Sequence, residues 1–401
     1  YLADNKNTSL YQASVWWNGN ISADFSSGED KKQIVSIKTN SNGSIVKQDG
    51  QIVIDKSNFT FANSNIFGHA SLSALIGDTT HPSDADIHEI LIFYGDLTDN
   101  DTYKVNQYLA KKWGLSAVMD SDNDGYNDTE AITFGSSPIN PASKIKTDFS
   151  TAVHNQINNG TNDLNDLENN LNLWLDAKNI NAANNTGIAN DAEISRWFDL
   201  SGQGNVAEAN HSATSAKYNS STNSLTFDGT NDFFSIRNST TMKVTSYSVF
   251  VLVKPNNAPT NTWGGIFGKI TGDNEPGVNY QIKINNTNQV AHTFKTSVNN
   301  KDTINNASGI QYNTSNLIEI AHSGTIASTL INGSKVVSAQ KNTQIPTDTL
   351  AMIGKTPGAT EYFKGDILEI IMFDHELSTN NRTKINYYLS KKWNLESFMD
   401  S

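Results

Sequence analysis

The amino-acid sequence predicts an all-β protein built from antiparallel β-sandwiches that each end in one short helix. Short runs rich in Val, Ile, Phe and Thr recur between clusters of Gly, Asn, Asp and Ser, which is the pattern of strands joined by turns. A segment from the first third of the chain recurs at its end, and an Asp-rich loop lies between the two copies. We therefore expect two copies of one β-rich unit joined by a linker.

The strand prediction rests on four short apolar segments, and their spacing is typical of an antiparallel sandwich. They are residues 247–253, 280–284, 317–321 and 367–373.

The repeat is clearest where residues 97–121 align without gaps onto residues 377–401, with 13 of the 25 positions identical. Further upstream, Glu89 aligns with Glu369. The dipeptides Asp-Gly at 49–50 and Asn-Gly at 332–333 also correspond, and both are typical of hairpin turns.

The two copies differ in length, because the second has about 200 residues before its Lys-Lys-Trp and the first has 112. We expect the missing half of the first copy to come from an upstream segment, a second polypeptide or a neighbouring copy. The predicted division has four parts. They are the C-terminal part of a domain over 1–119, a linker over 120–143, a polar and partly helical lead over 144–170, and a complete domain over 171–401.

Each copy is expected to end in a helix. Ser378 is a candidate N-cap, and Ile385, Tyr388 and Trp393 follow at helical spacing. We interpret this stripe as core, with ligand contact as the alternative.

Composition narrows the choice of partners. The chain of 401 residues has 29 Lys and Arg against 41 Asp and Glu, a net charge of −12. That balance argues against nucleic acid and anionic membrane surfaces. No apolar run approaches the roughly 20 residues of a membrane helix, so no membrane insertion is expected. The absence of cysteine excludes disulfides and thiolate metal sites.

Five motifs follow one another in the second copy. They are Leu-Trp-Leu-Asp-Ala at 173–177, Trp-Phe-Asp-Leu-Ser-Gly-Gln-Gly-Asn at 197–205, Leu-Thr-Phe-Asp-Gly-Thr-Asn-Asp-Phe at 225–233, Gly-Asp-Ile-Leu-Glu-Ile at 365–370 and Tyr-Leu-Ser-Lys-Lys-Trp at 388–393. This ordered set resembles the LamG-like domains of the concanavalin A-like lectin/glucanase superfamily, in the form found in large bacterial surface proteins. The resemblance implies a two-sheet jelly roll and an extracellular or cell-surface location. It does not fix a ligand, because the superfamily holds lectins, hydrolases and spacers.

Most polar residues of these motifs have a structural interpretation. Asp176, Asp199 and Asn205 are expected to hydrogen-bond buried backbone groups, and metal binding is the alternative. The large side chains Trp174 and Trp197 are expected in the core.

The strongest chemical motif is the sequence Asp-Ser-Asp-Asn-Asp-Gly-Tyr-Asn-Asp at 120–128, called the acidic loop below. Calcium takes six to eight oxygen ligands, and alternating Asp residues around a Gly can wrap them about one ion. The predicted ligands are the carboxylates of Asp120, Asp122, Asp124 and Asp128, with the backbone carbonyl of Tyr126. A solvated acidic turn is the alternative.

The acidic loop resembles the thrombospondin type 3-like calcium repeats of bacterial surface proteins, with one departure. The family's last carboxylate lies at position 12, which is Ala131 here, while Glu130 stands at position 11. Glu130 is therefore the predicted final ligand, with a water or a neighbouring domain as the alternative.

An enzyme is the least favoured interpretation. The acidic residues Asp84, Asp86 and Glu89 echo the strand motif of laminarinase-type glycosidases, but the first acid is Asp rather than Glu, and the second copy has Lys364 there. No nucleophile elbow, His-Glu-x-x-His or phosphate loop is present. We expect no catalysis.

These observations predict a non-catalytic segment of a repetitive extracellular or cell-surface bacterial protein. It would act as a calcium-stiffened adhesion or glycan-binding module, with surface glycans or neighbouring copies as partners. The first alternative is a structural spacer or filament-forming repeat, and the second is a polysaccharide-active glycoside hydrolase.

Overall fold

A computed structural model divides the chain into two compact units, Tyr1–Lys144 and Ile145–Ser401. The structure describes residues 2–5, 10–15, 21–26, 32–40, 43–56, 88–133, 136–144, 149, 151–153, 165–182, 184–209, 214–256, 259, 263–270, 278–297, 300–305, 309–340, 346–356 and 360–395. The second half of the predicted acid motif, His88 and Glu89, lies in this part, whereas Asp84 and Asp86 lie outside it.

The described elements of the first unit are six strands and two helices. They are β1 Leu2–Asn5, β2 Leu10–Val15, β3 Ile21–Ser26, β4 Val35–Asn40, β5 Gly43–Gln48, β6 Gln51–Lys56, α1 Asp99–Trp113 and α2 Asp128–Thr133.

The second unit has helical residues at 149 and 151–153, followed by α3 Asn165–Asn169, and it contains α4 Thr379–Trp393 near its end. Between them lie β7 Leu171–Asp176, β8 Arg196–Trp197, β9 Ala207–Glu208, β10 Lys217–Asn219, β11 Ser224–Asp228, β12 Phe234–Ile236, β13 Tyr247–Pro255, β14 Trp263–Ile270, β15 Val278–Asn285, β16 Val290–Ser297, β17 Asn300–Asn305, β18 Asn316–His322, β19 Ile326–Ile331, β20 Ser334–Gln340, β21 Ala351–Ile353 and β22 Lys364–Phe373.

Two antiparallel sheets form the second unit. One runs in the order β10-β11-β22-β13-β18-β19-β20, with β7 also paired to β22, and the other runs β17-β16-β15-β14-β21-β12-β9-β8. Their facing apolar side chains make one core that includes Trp197, Tyr280 and Ile320. Alternation along each strand delivers these side chains to one face, since successive residues point to opposite sides.

The helix α4 covers the back of the first of these sheets. Its Ser378 hydroxyl accepts a hydrogen bond from the Asn381 N–H, which is the predicted cap. Tyr388 and Leu389 then pack with Trp174 and Phe250 in a second apolar cluster. The predicted all-β fold with antiparallel sheets and a short C-terminal helix is therefore confirmed, and the aromatic stripe of α4 is core.

The first unit contains a three-stranded meander, β4-β5-β6, that repeats β18-β19-β20 in detail. Strands β4 and β5 pair with the same register as β18 and β19, at a constant difference of 283 in residue number. The β-bulge between Val46 and Lys47 has its counterpart between Thr329 and Leu330. The prediction that the first unit is part of a second sandwich stays a prediction, and this shared register supports it.

The turns of the two meanders are also the same. The Asp49 carboxylate accepts from the Ile34 N–H at 2.8 Å, and the Asn332 amide oxygen accepts from the Leu317 N–H at 2.8 Å. Asp49 and Asn332 both have φ near +50°, and a Gly follows each. Left-handed backbone at two successive positions is what a tight hairpin turn needs.

Candidate functional site

The acidic loop follows helix α1 and is held against the β5–β6 turn of the first unit. The Asp120 N–H donates to the Asp49 carbonyl at 2.9 Å, and the Asn123 side chain accepts from the Ile52 N–H at 2.9 Å. Gly50 makes this approach possible, because a Cβ there would lie 1.7 Å from the Asp120 carbonyl oxygen. The predicted linker is thus packed on the meander at its start.

Within the loop, Asp120 organises the turn. One of its carboxylate oxygens accepts from the Asn123 N–H at 2.7 Å, and the other accepts from the Gly125 N–H at 3.1 Å. Asn123 and Gly125 have φ of 62° and 98°, so the chain curls back around this carboxylate. The curl draws the alternating Asp side chains inward.

Three of the six predicted ligands come together. One carboxylate oxygen each from Asp120, Asp122 and Asp124 lies within 4.8 Å of the other two. Asp122 Oδ2 and Asp124 Oδ2 are buried and accept no hydrogen bond from the residues that the structure describes. Burial, and to a smaller extent the neighbouring carboxylates, raise the pKa of Asp122 to about 6 and that of Asp124 to about 7.

The other three predicted ligands have different surroundings. Asp128 accepts from the backbone and hydroxyl of Ser121 and from the Gln107 amide at 2.6 Å. Glu130 accepts from the Asn127 N–H, while Asn127 accepts from the Glu130 N–H, which is a capping box at the start of α2. Tyr126 is buried, and its N–H donates to Asp124.

This donor set fits a hard divalent cation. Carboxylate oxygens are the ligands that calcium prefers, and two buried carboxylate oxygens without a donor are costly unless a cation or protons neutralise them. Asp120, Asp122 and Asp124 are the residues that would hold the ion. The six-residue ligand set remains a prediction.

A second polar cluster surrounds Glu369 inside the second unit and is called the Glu369 corner. Its carboxylate accepts from the indole N–H groups of Trp174 at 2.8 Å and Trp393 at 2.6 Å, and from the Tyr388 hydroxyl at 2.9 Å. Lys392 Nζ lies 2.8 Å from both Glu369 and Asp176. Burial lowers the pKa of Lys392, but the two carboxylates outweigh burial and raise it.

The first unit contains the Glu89 corner at the equivalent place. Glu89 accepts from the Trp113 indole at 2.9 Å, from the Tyr108 hydroxyl at 3.0 Å and from Lys112 at 3.2 Å. These are the residues that the repeat aligns with the Glu369 corner. Both oxygens of each glutamate contact donors on the helix that follows it, so both glutamates have a structural role.

The polar residues of the 197–205 motif also make the predicted backbone contacts. The buried Asp199 carboxylate accepts from the N–H groups of Trp174, Ser201 and Asn205. The Asn205 amide donates to the Asn172 carbonyl at 2.7 Å.

A further candidate site lies on the face of the second sheet that points away from the core between the sheets, and the sequence interpretation missed it. Along β15, Tyr280 and Ile282 enter the core, so Gln281 and Lys283 face the other way. Lys283 Nζ lies 4.9 Å from the centre of the Trp263 ring and 3.4 Å from a Glu361 carboxylate oxygen.

The same face continues through the hairpin that follows β21. Lys355 Nζ lies 4.9 Å from the Phe233 ring and 5.0 Å from the Tyr362 ring. Backbone bridges from Tyr362 to Gly265 and Lys355 fix this hairpin across the sheet. We call the six residues Phe233, Trp263, Lys283, Lys355, Glu361 and Tyr362 the aromatic face.

The aromatic face combines rings with buried polar side chains, since Gln281 and Lys283 are only 2% and 5% exposed. Its aromatic side chains are partly exposed, and polar groups stand beside them. The Gln281 side chain donates to the Thr356 hydroxyl at 3.0 Å, while its buried oxygen has no donor among the described residues. The alternation of Asn279, Gln281 and Lys283 with core residues was the available sequence signal.

Comparison with protein families supports the fold of the second unit. Residues 228–381 match the model of the concanavalin A-like lectin/glucanases superfamily. No match is found among curated proteins. Among the described helices, none combines the length and apolar character that crossing a bilayer requires.

Several solved structures show partial similarity. Trypanosoma rangeli sialidase matches with 13% identity and a TM-score of 0.40, over 56% of this chain and 33% of that one. The binding domain of Paraclostridial Mosquitocidal Protein 1 matches with 12% identity and a TM-score of 0.43, over 55% and 52%. The binding domain of botulinum neurotoxin DC, solved in complex with SialylT, matches with 16% identity and a TM-score of 0.40, over 55% and 51%.

The chain thus spans about one third of the sialidase and about half of the toxin binding domains. Similarity at this level carries no functional inference.

Proposed function

We propose that the second unit is a non-catalytic carbohydrate-binding module that takes a saccharide on the aromatic face. The observation that carries this proposal is the row of partly exposed aromatic rings beside Lys and Glu side chains. Sugar rings present C–H groups that pack on aromatic faces and hydroxyls that exchange hydrogen bonds with such neighbours. The match of residues 228–381 to a lectin and glucanase superfamily supports the same class.

A glycan array with the full chain tests the proposal, followed by titration of the best saccharide. Trp263→Ala and Tyr362→Ala should each raise the Kd at least about tenfold, which corresponds to about 1.4 kcal/mol of lost stacking. The control is Tyr387→Ala, which removes an exposed aromatic ring from α4 instead. Binding that survives both face substitutions, or that Tyr387→Ala removes equally, would rule out the aromatic face.

We propose further that the acidic loop binds Ca²⁺ and so fixes the segment that follows α1. The buried oxygens Asp122 Oδ2 and Asp124 Oδ2 support this proposal, because they accept no hydrogen bond from the described residues. Isothermal titration should detect at least one Ca²⁺ site, and the Asp122→Ala, Asp124→Ala double variant should lose it. Asp99→Ala removes an exposed carboxylate from α1 and serves as the control. An unchanged titration of the double variant would refute the assignment.

With both sites, the function that we propose is a calcium-stiffened glycan-binding segment of an extracellular or cell-surface bacterial protein, the location that the sequence resemblance implies. A glycan array without any reproducible binding would favour the alternative of a structural or filament-forming repeat.

A further inference from the structure

The Glu369 corner holds a buried lysine between two carboxylates that face each other across a pair of strands. Asp176 on β7 and Glu369 on β22 are direct partners in the antiparallel register. Both residues are 1% exposed, and the Lys392 side chain, 12% exposed, reaches both carboxylates at 2.8 Å. Taking such charges out of water is costly. The second carboxylate exceeds what attachment of the helix requires, because the Glu89 corner attaches its helix with one described carboxylate.

These three groups have the composition of an amide-forming centre. A lysine amine can attack the carboxyl carbon of an aspartate, and a neighbouring carboxylate can take the proton that the amine must lose. Lys392 Nζ lies in contact with Asp176 Oδ2, and groups held together in this way react as if at very high concentration. Burial also keeps bulk water away from the amide that would form.

The Asp176 carboxyl group is oriented by donors from the turn that follows β7. Its Oδ1 accepts from the Lys178 N–H at 2.9 Å, and its Oδ2 accepts from the Asn179 amide at 2.5 Å. When an amine adds to the carboxyl carbon, negative charge develops on these oxygens. Fixed donors at that position stabilise the developing charge, as they do in an oxyanion hole.

Glu369 is placed to carry a proton away from the amine. Its Oε2 lies 2.8 Å from Lys392 Nζ and accepts from the Trp393 indole at 2.6 Å. Burial raises the pKa of Glu369, so this carboxylate accepts a proton more readily than an exposed one. Burial lowers the pKa of Lys392, but the two carboxylates raise it overall, so the amine starts as an ammonium ion. Proton transfer to Glu369 is therefore the first requirement.

We propose that Lys392 and Asp176 form an intramolecular isopeptide bond, with Glu369 as the proton carrier. The bond from Lys392 Nζ to Asp176 Cγ forms, and one Cγ–Oδ bond of Asp176 breaks. Two protons from the ammonium group leave with that oxygen as a water molecule. One of them travels by way of the Glu369 carboxylate, which is regenerated. The step needs no oxidant, reductant or co-reactant, and its product joins β7 covalently to α4.

The Glu89 corner provides an internal control for this chemistry. Lys112 lies 3.1 Å from Glu89, but its side chain is 44% exposed. Among the described residues, no aspartate pairs with Lys112. An amine that water solvates keeps its proton, and this one has no described carboxyl carbon to attack. We therefore expect a bond at the Glu369 corner and none at the Glu89 corner.

The test is mass spectrometry of the denatured full chain. The intact mass should fall one water molecule below the mass of the sequence, and proteolysis should yield one linked peptide pair that joins Asp176 to Lys392. Lys392→Arg, Asp176→Ala and Glu369→Gln should each lose both signals. Lys112→Arg and Glu89→Gln, the matched substitutions in the first unit, should keep both. Circular dichroism of Lys392→Arg, which retains the positive charge, should match that of the wild type.

A soluble wild-type chain that retains the full sequence mass after prolonged incubation would overturn the proposal, and this measurement does not depend on the folding of any variant. A water loss without a linked pair would overturn it too, because cyclisation at an Asp-Gly sequence gives that result. Linkage that Glu369→Gln leaves undiminished would refute the proton-transfer step. The mass does not depend on saccharide binding, so failure of the proposed function would leave this result unchanged.

Discussion

The Glu89 and Glu369 corners use the same residue types in different surroundings. Each glutamate accepts from a Tyr, a Lys and a Trp of the helix that follows it. The Glu369 corner adds Trp174 and Asp176 from β7 and is buried, whereas in the Glu89 corner Tyr108 is 48% and the Lys112 side chain 44% exposed. The comparison shows that the repeated motif fixes the helix to the segment that carries the glutamate, and that burial of the corner comes with added strands such as β7.

Removal of the glutamate should give the largest difference between the two corners. Glu369→Ala leaves the buried Lys392 with one carboxylate partner and should cost about 3–5 kcal/mol. Glu89→Ala should change stability little, because exposed ion pairs are screened by water. Denaturant unfolding with hydrogen exchange at α1 and α4 measures both. A stability loss in the Glu89 variant as large as that in the Glu369 variant would break the comparison.

A buried histidine pair should make the second unit more sensitive to acid than the first. Tyr247 Oη lies 2.6 Å from His292 Nε2, and burial lowers the pKa of His292 to about 3 and that of His322 to about 4. The unfolded chain, with an ordinary histidine pKa of 6.5, then binds more protons. Stability is therefore present above about pH 6.5 and falls as the pH decreases toward the folded values.

The expected loss is about 1.4 kcal/mol per pH unit for each histidine, or about 3 kcal/mol each by pH 4.5. The measurement is urea unfolding of the wild type and of His322→Gln between pH 7 and 4.5. The difference between the two proteins should shrink as the pH falls. A constant difference would mean that His322 does not titrate on unfolding.

The two meander turns should show the smallest effect and the closest agreement. Asp49→Ala and Asn332→Ala each lose a side-chain hydrogen bond and place Ala at a positive φ. We expect about 1–2 kcal/mol of local destabilisation at either site. Hydrogen exchange in β4 and β18 measures it, and Asn332→Gly, which tolerates the backbone angle, should lose less. Clearly unequal effects would show that the turns are not equivalent.

Much of this organisation could be predicted from the sequence, because it depends on local patterns. The strands around 247–253 and 367–373, the Ser378 cap and the equivalence of the Asn332 and Asp49 turns follow from periodicity and turn chemistry. The pairing of Asp176 with Lys392 could not be predicted, since it depends on the register of β7 against β22. Periodicity places a residue on a face but does not choose its partner across the sheet.

In the candidate sites, too, the sequence indicated local clusters but not contacts between distant segments. Alternating Asp residues indicated the cluster of Asp120, Asp122 and Asp124, which is entirely local. The contacts of Asp128 and Glu130 were ambiguous, because the same carboxylates serve as metal ligands and as caps of a helix. The aromatic face escaped prediction, since it forms only when the hairpin around Tyr362 folds across β14.

The attachment of the acidic loop to the β5–β6 turn has a mechanical consequence. Asp120 donates to Asp49, Asn123 accepts from Ile52, and Lys47 donates to the Ser121 carbonyl at 3.2 Å. A pulling force applied to the chain beyond residue 126 cannot simply straighten a slack tether, because the loop is bonded to the hairpin. Full extension of this segment under load therefore requires the rupture of these three bonds, and the hairpin acts as its anchor point.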